Sequence, residues 1–158
     1  MKRITIILAL ALTSTFNAQA DTLGFAVGQY DIDGSHSATD FRVDYEYDTS
    51  IWLNDLKPWL GTQATTDGTI WLGGGLLYDW SFAETWHLKP GLGVGYYSRG
   101  SSDLDLGYPV EFRTQLEVAK DINPNNSLGL AASHLSNANL DSVNPGVEVV
   151  TLYWHYRF

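Results

Sequence analysis

Of the 158 residues, 44% are hydrophobic, 13% aromatic and only 17% charged, with fifteen glycines, no cysteine and a formal charge of −9. This is one domain's length of chain, with enough apolar surface to offset its ordering entropy, which excludes a disordered protein. Nine basic against eighteen acidic side chains leave no cationic surface for a nucleic-acid backbone, and the absence of Cys excludes disulfide, zinc-thiolate and cysteine-nucleophile chemistry.

The first element is a targeting segment. Lys2 and Arg3 precede an apolar run from Ile4 to Leu12, and Ala18-Gln19-Ala20 offers a small-x-small cleavage site, the pattern of a secretory signal peptide. A membrane-spanning helix needs about 20 apolar residues, and this run is shorter. Residues 1–20 are therefore expected to be removed, leaving 21–158 as the folded domain of an exported protein.

Past Asp21 no stretch carries the i, i+3, i+4, i+7 apolar pattern of a helix; segments alternate instead. Eight are expected: Thr22–Tyr30, Asp40–Asp48, Pro58–Thr65, Thr69–Trp80, Thr85–Tyr97, Gly107–Ala119, Ser127–Ser136 and Val147–Phe158. Clusters of Gly, Pro, Asn, Asp and Ser separate them, such as Asp31–Ser35 and Asn123–Asn126. Most are about ten residues long, which suits a tilted strand crossing a bilayer better than a soluble sheet.

The two faces of these strands decide the solvent. In the second segment Phe41, Val43, Tyr45 and Tyr47 oppose Arg42, Asp44, Glu46 and Asp48; in the sixth Phe112, Thr114, Leu116 and Val118 oppose Glu111, Arg113, Gln115 and Glu117. Turned inward, the aromatic set would overcrowd a lumen that eight strands make just wide enough for side chains. Turned toward lipid, it leaves Arg42, Lys89, Arg113 and Arg157 to pair inside with Asp44, Glu46, Glu111 and Glu117. The expected fold is all-β: an eight-stranded antiparallel outer-membrane barrel with a filled polar interior and no pore. The last segment, alternating through Val150, Leu152, Trp154 and Tyr156 to a terminal Phe158, fits a lipid-facing final strand. With both termini periplasmic, the connections near 31–39, 65–68, 98–106 and 137–146 are extracellular, and those near 49–57, 80–85 and 120–126 periplasmic.

Several motifs read as structure. Gly91, Gly93 and Gly95 form a small-residue strand face rather than a phosphate-binding loop. Asp31, Asp33 and Gly34 open like a calcium loop but lack the closing acidic residue, which leaves an acidic turn. His87 and His155 fall on the inward parity, beside interior carboxylates, and His36 lies in a loop.

The segment from His134 to Glu148 differs. His134 and Ser136 are two apart on one strand and project from one face, their Cα atoms about 6.5–7 Å apart. If His134 pairs with Glu148 across the hairpin, Gly146 lies opposite Ser136. A serine then has a base in reach and a carboxylate to orient it, the logic of an activated nucleophile, with Asn137 as oxyanion donor through its side chain or backbone N–H. Leu128, Leu130 and Ala132 before His134, and Val150 to Phe158 after Glu148, share this even parity, so the group faces lipid, where a carboxylate is hard to explain as mere solvation.

His134-x-Ser136-Asn137-Ala138 followed by Asn144-x-Gly146-x-Glu148 closely resembles the carboxy-terminal signature of the lipid A 3-O-deacylases, the PagL family. The likeness spreads over about the last fifty residues, including Tyr108 to Arg113, and more diffusely over the barrel. It implies Ser136 as nucleophile, His134 as general base, Glu148 as its orienting partner and Asn137 in the oxyanion hole. It further implies a metal-independent ester hydrolysis without cofactors that removes the 3-position hydroxyacyl chain of lipid A, the lipid part of lipopolysaccharide. The expected partners are that substrate and the surrounding outer-membrane lipids, with the oligomeric state open between monomer and homodimer. The expected active site lies on the extracellular-leaflet side. The rival readings are a non-catalytic structural or adhesive barrel, acting through its loops, and a soluble lipid carrier.

Overall fold

The computed structural model describes residues 20–158; the expected signal peptide lies, except for Ala20, outside them. Among these residues the chain forms strands only: β1 (Thr22–Tyr30), β2 (Ala38–Glu46), β3 (Leu56–Thr65), β4 (Ile70–Tyr78), β5 (Trp80–Ala83), β6 (Trp86–Ser98), β7 (Val110–Asn123), β8 (Asn126–Ser136) and β9 (Val147–Arg157). Neighbours in sequence other than β4 and β5 pair antiparallel, β1 pairs with β9, and β4 pairs with both β3 and β6. The sheet therefore closes. β4 and β5 are two parts of one barrel strand interrupted at Asp79, so the barrel has eight strands, as alternation predicts. The interruption has a local cause: the Asp79 N–H donates to the Asp55 carbonyl, while its carboxylate turns inward to His87 at 2.8 Å and Lys57 at 3.5 Å.

The face assignment holds strand by strand. Phe41, Val43, Leu60, Leu72, Leu92, Val94, Leu116, Leu130 and Leu152 stand exposed on the outer wall, while Arg42, Asp44, Glu46, Arg113, Glu117 and His155 are buried within. An apolar band around a polar interior is the inverse of a soluble lipid carrier. Closure pairs both sides of every strand except the short β5, which pairs with β6 alone near the rim, and so hides the backbone from lipid.

The interior pairs differ in detail from the expectation. Arg113 meets Asp44 at 3.1 Å, Lys89 meets Glu46 at 2.6 Å and His155 meets Glu117 at 2.6 Å. Arg42 instead takes Asp40, two residues along its own strand, at 2.6 Å. Arg157, near the chain end, reaches Asp121 at 3.7 Å. Glu111 is fully buried and has no ion-pair partner among the described residues, because the nearest cation on its strand, Arg113, is drawn to Asp44. Nor is the interior polar throughout: Tyr30, Trp59, Trp71, Tyr97, Leu106, Leu135, Val147 and Val149 form a buried apolar cluster. Trp59 and Trp71 stack with centroids 5.9 Å apart, and the Arg113 guanidinium lies over both, 4.2 and 4.7 Å from their centres, a favourable cation–π arrangement. Gly93 and Gly95 give these indoles their space. A Cβ at either would come within 2.5 Å of a tryptophan ring, which accounts for the small-residue face.

The first described residues and the carboxyl end meet at one rim, where the Phe158 N–H donates to the Asp21 carbonyl. That rim carries the connections 47–55, 84–85 and 124–125; the opposite rim carries 31–37, 66–69, 99–109 and 137–146. Asp31 closes the first of these upon itself, accepting the His36 N–H at 2.7 Å, the acidic turn expected there.

Candidate active site on the outer wall

β8 and β9 pair in the register His134↔Glu148, with Leu135↔Val147 beside it. Parity puts Leu135 and Val147 fully inside and His134 and Glu148 outside. The two outer side chains, 43% and 45% exposed, join at His134 Nδ1 and Glu148 Oε1, 2.8 Å apart. With Nδ1 engaged by the carboxylate, Nε2 is the ring nitrogen left for proton transfer. On the other flank β7 pairs with β8 so that Thr114 lies opposite His134 and Phe112 opposite Ser136.

Ser136 ends β8 two residues beyond His134 on the same face. Among the described residues no hydrogen bond joins the two, and such bonds commonly tighten only when substrate binds. Gly146, one step before Val147, is the neighbour the register implies. Its φ is +69°, a conformation other residues adopt only under strain, and a Cβ there would lie 2.5 Å from His134 Cε1. The space it leaves is occupied by the imidazole rather than standing open beside the serine hydroxyl.

Asn137 follows Ser136 directly. It is fully buried; its Nδ2 donates to the Leu106 and Val143 carbonyls, both at 2.7 Å, and its backbone N–H donates to Asn144 Oδ1 at 3.0 Å. The bond to Leu106 ties the 99–109 connection to the 137–146 connection, and the other two brace the 137–146 connection itself, so its donors are engaged in this arrangement. Its odd parity, shared with Ser133 and Leu135, is the signal in the sequence that it points inward. The next two residues, Ala138 and Asn139, both have positive φ, 52° and 63°. Backbone strain of this kind collects at functional sites. Residues from the first connection also reach the site, which the sequence did not reveal: the Ile32 N–H donates to the Glu148 carbonyl at 3.2 Å, and Ile32 borders the same groove as His134 and Glu148.

A closed barrel with an apolar girdle outside and a polar interior has the build of a bacterial outer-membrane barrel, and this one carries a His–carboxylate pair two residues from a serine on its outer wall. The fold is shared widely. The crystal structure of the outer-membrane enzyme PagL superimposes with a TM-score of 0.64 at 20% identity, covering 85% of this chain and 98% of that one. Neisserial surface protein A superimposes almost as well, at 0.62 and 14% identity, covering 88% and 96%. Such likeness establishes architecture alone. Sequence discriminates: the lipid A 3-O-deacylase (PagL) family model matches residues 38–157. The lipid A deacylase PagL of Bordetella bronchiseptica is 28% identical over 135 residues, covering 74% of this chain and 76% of the relative. The chain belongs to the lipid A 3-O-deacylase family, whose members are ester hydrolases of the outer membrane.

Proposed function

We propose that this chain hydrolyses the 3-O-acyl ester of lipid A with Ser136 as nucleophile, His134 as general base and Glu148 as the residue that orients it. The observation that carries the reading is the 2.8 Å His134–Glu148 pair on the lipid-facing wall, since an exposed carboxylate facing lipid has no structural reason to be there. Ser136 Oγ attacks the ester carbonyl carbon as His134 Nε2 takes its proton. The tetrahedral oxyanion collapses, the C–O bond to the sugar breaks, and His134 returns the proton to the departing sugar oxygen. Water, deprotonated by the same nitrogen, then cleaves the acyl-serine and frees the fatty acid.

For the oxyanion, the N–H groups of Ala138 and Asn139 are the nearest donors after Ser136 that have no acceptor among the described residues; two adjacent N–H groups in a strained turn suit a developing negative charge. Asn137 enters the reaction as a positioning residue that holds this turn. The site is proposed to open into the outer leaflet, where lipid A resides, so substrate reaches it by lateral diffusion.

Mass spectra of lipid A from cells expressing the protein test this. Wild type removes one hydroxyacyl chain. Ser136→Ala and His134→Ala, folded as judged by heat-modifiable gel migration, leave lipid A intact, and Glu148→Ala leaves a reduced rate. Full deacylation by Ser136→Ala ends the proposal.

A further inference from the structure

The rim next to Ser136 is acidic, with one exception. Its connections carry Asp31, Asp33, Asp67, Asp103, Asp105 and Asp141, and their single Lys or Arg is Arg99, where β6 gives way to the 99–109 connection. The other basic side chains among the described residues lie elsewhere: Arg42, Lys89 and Arg113 inside the barrel, and Lys57, Lys120 and Arg157 toward the opposite rim. Arg99 borders a hollow of about 260 Å³ together with Tyr96, Ser98, Asp105, Tyr108 and Pro109. Asp105 engages Nη1 alone, at 3.1 Å, and both side chains are about half exposed, so the pair is weakly held. Among the described residues the Arg99 Nε and Nη2 groups and the Tyr96 and Tyr108 hydroxyls have no hydrogen-bond partner. A guanidinium fork with free donors beside phenolic donors suits an anion with several oxygens.

The hollow stands in a fixed relation to the serine. The second Asp105 oxygen accepts the Gly107 N–H at 2.9 Å. Gly107, at φ +89°, packs so closely on Val143 that a Cβ would come within 2.1 Å of the Val143 carbonyl oxygen. That carbonyl accepts from Asn137 Nδ2, next to Ser136. In the register Val94 of β6 faces Phe112, which faces Ser136, and Tyr96 stands two residues nearer the rim than Val94. Two strand spacings across and two residues along separate the Tyr96 and Ser136 Cα atoms by about 12 Å.

We infer that this hollow binds a phosphate monoester of the substrate, with Arg99 as the residue that selects for it. The inference rests on Ser136 being the nucleophile. Lipid A is a glucosamine disaccharide with a phosphate on each sugar. The separation exceeds what one sugar ring spans, so the phosphate seated here is the one on the sugar that does not carry the ester under attack. Held at that end, the disaccharide presents its ester carbonyl to Ser136 in one orientation, and placement of this kind governs the rate of attack.

The test uses the full-length barrel in non-ionic detergent micelles, in phosphate-free buffer with a chelator, so that neither a neighbouring headgroup nor a bridging metal ion stands in for the substrate's own phosphate. Wild type has a kcat/KM about tenfold higher for bisphosphorylated lipid A than for lipid A lacking the phosphate on that second sugar, the scale of a hydrogen bond to a charged group. Arg99→Gln, folded by heat-modifiable migration, lowers the first value to the second and leaves the second unchanged. Arg99→Lys keeps the charge without the fork and retains part of the preference. Lipid A lacking instead the phosphate on the ester-bearing sugar responds to Arg99→Gln as the bisphosphorylated lipid does. An equal loss on all three lipids overturns the inference, as does a preference that survives Arg99→Gln. Calorimetric titration of the same lipids into Ser136→Ala reads the preference as a ratio of Kd values without turnover, and the absence of any preference in both measurements overturns the site. The catalytic reading fails separately, if Ser136→Ala still deacylates the lipid lacking the second phosphate.

Discussion

At the scale of single residues, the site depends on a glycine as much as on its reactive groups. Gly146 sits at φ +69° with the His134 ring where its side chain would be. Gly146→Ala is expected to cost about 1 kcal/mol in backbone strain and to push the imidazole off Glu148. Misplacement by an ångström lowers rates about 10²-fold, so time courses of lipid A deacylation should fall by that order while the folded band persists on gels. A near-wild-type rate would mean that the ring position is not critical. Glu148 has a separate signature. The carboxylate holds the ring by Nδ1 at 2.8 Å, and Glu148→Gln keeps the shape of that contact but loses its charge. The initial rate of lipid A deacylation is expected to fall while the folded band persists on gels. A rate equal to wild type would show that Glu148 does not act on His134.

At the scale of elements, period-two alternation located all eight barrel strands and their faces, because a lipid exterior and a polar interior impose opposite demands on successive residues. It also supplied the His134↔Glu148 register, since parity leaves few alternatives once the hairpin face is known. Alternation could not show the break at Asp79, which depends on a hydrogen bond to Asp55 from a distant connection. Nor could it show that Leu106 and Asn137 fold into the barrel mouth, because contacts between connections have no period. The pairing of Arg42 with Asp40 was equally hidden: sequence gives the inward set but not which members touch. The β3–β4 turn offers a test at this scale. Burial opposes ionisation of Asp67, but hydrogen bonds from Thr65 and from the Thr69 N–H outweigh it and hold its carboxyl below the ordinary carboxylate range. A depressed folded-state value means that the contribution to stability is present above the unfolded pKa and lost as pH falls through the folded one. Asp67→Asn should therefore lower the unfolding temperature at neutral pH, and the gap from wild type should close in acid. A gap that persists at low pH would assign the effect to packing instead of charge.

At the scale of the whole molecule, what joins fold to chemistry is depth. His134 and Glu148 stand on the outer wall at the end of β8 and the start of β9, next to the rim opposite Asp21 and Phe158. A charged side chain on a barrel's lipid face costs about 2–4 kcal/mol for Arg or Lys at the midplane, less for Asp and Glu, and about 0–1 kcal/mol near the interface. Glu148 is thus tolerable only near the rim, the depth at which ester bonds lie beneath a lipid headgroup. Short turns face the periplasm in such barrels and longer loops face outward, so the proposed outer-leaflet site requires the rim with the 99–109 and 137–146 connections to face the exterior. Two cysteine substitutions per question test this arrangement, since the chain has none of its own. Ala132→Cys, on the outer wall, should react with a lipid-soluble maleimide, and Ala131→Cys, 1% exposed, should not. Ser142→Cys should react with a membrane-impermeant maleimide on intact cells, whereas Asn125→Cys, in the connection at the other rim, should react only after the envelope is opened. Reversal of the first pair would turn the site into the barrel interior, and reversal of the second would place it in the inner leaflet, away from lipid A; either result is incompatible with a substrate that arrives by lateral diffusion in the outer leaflet.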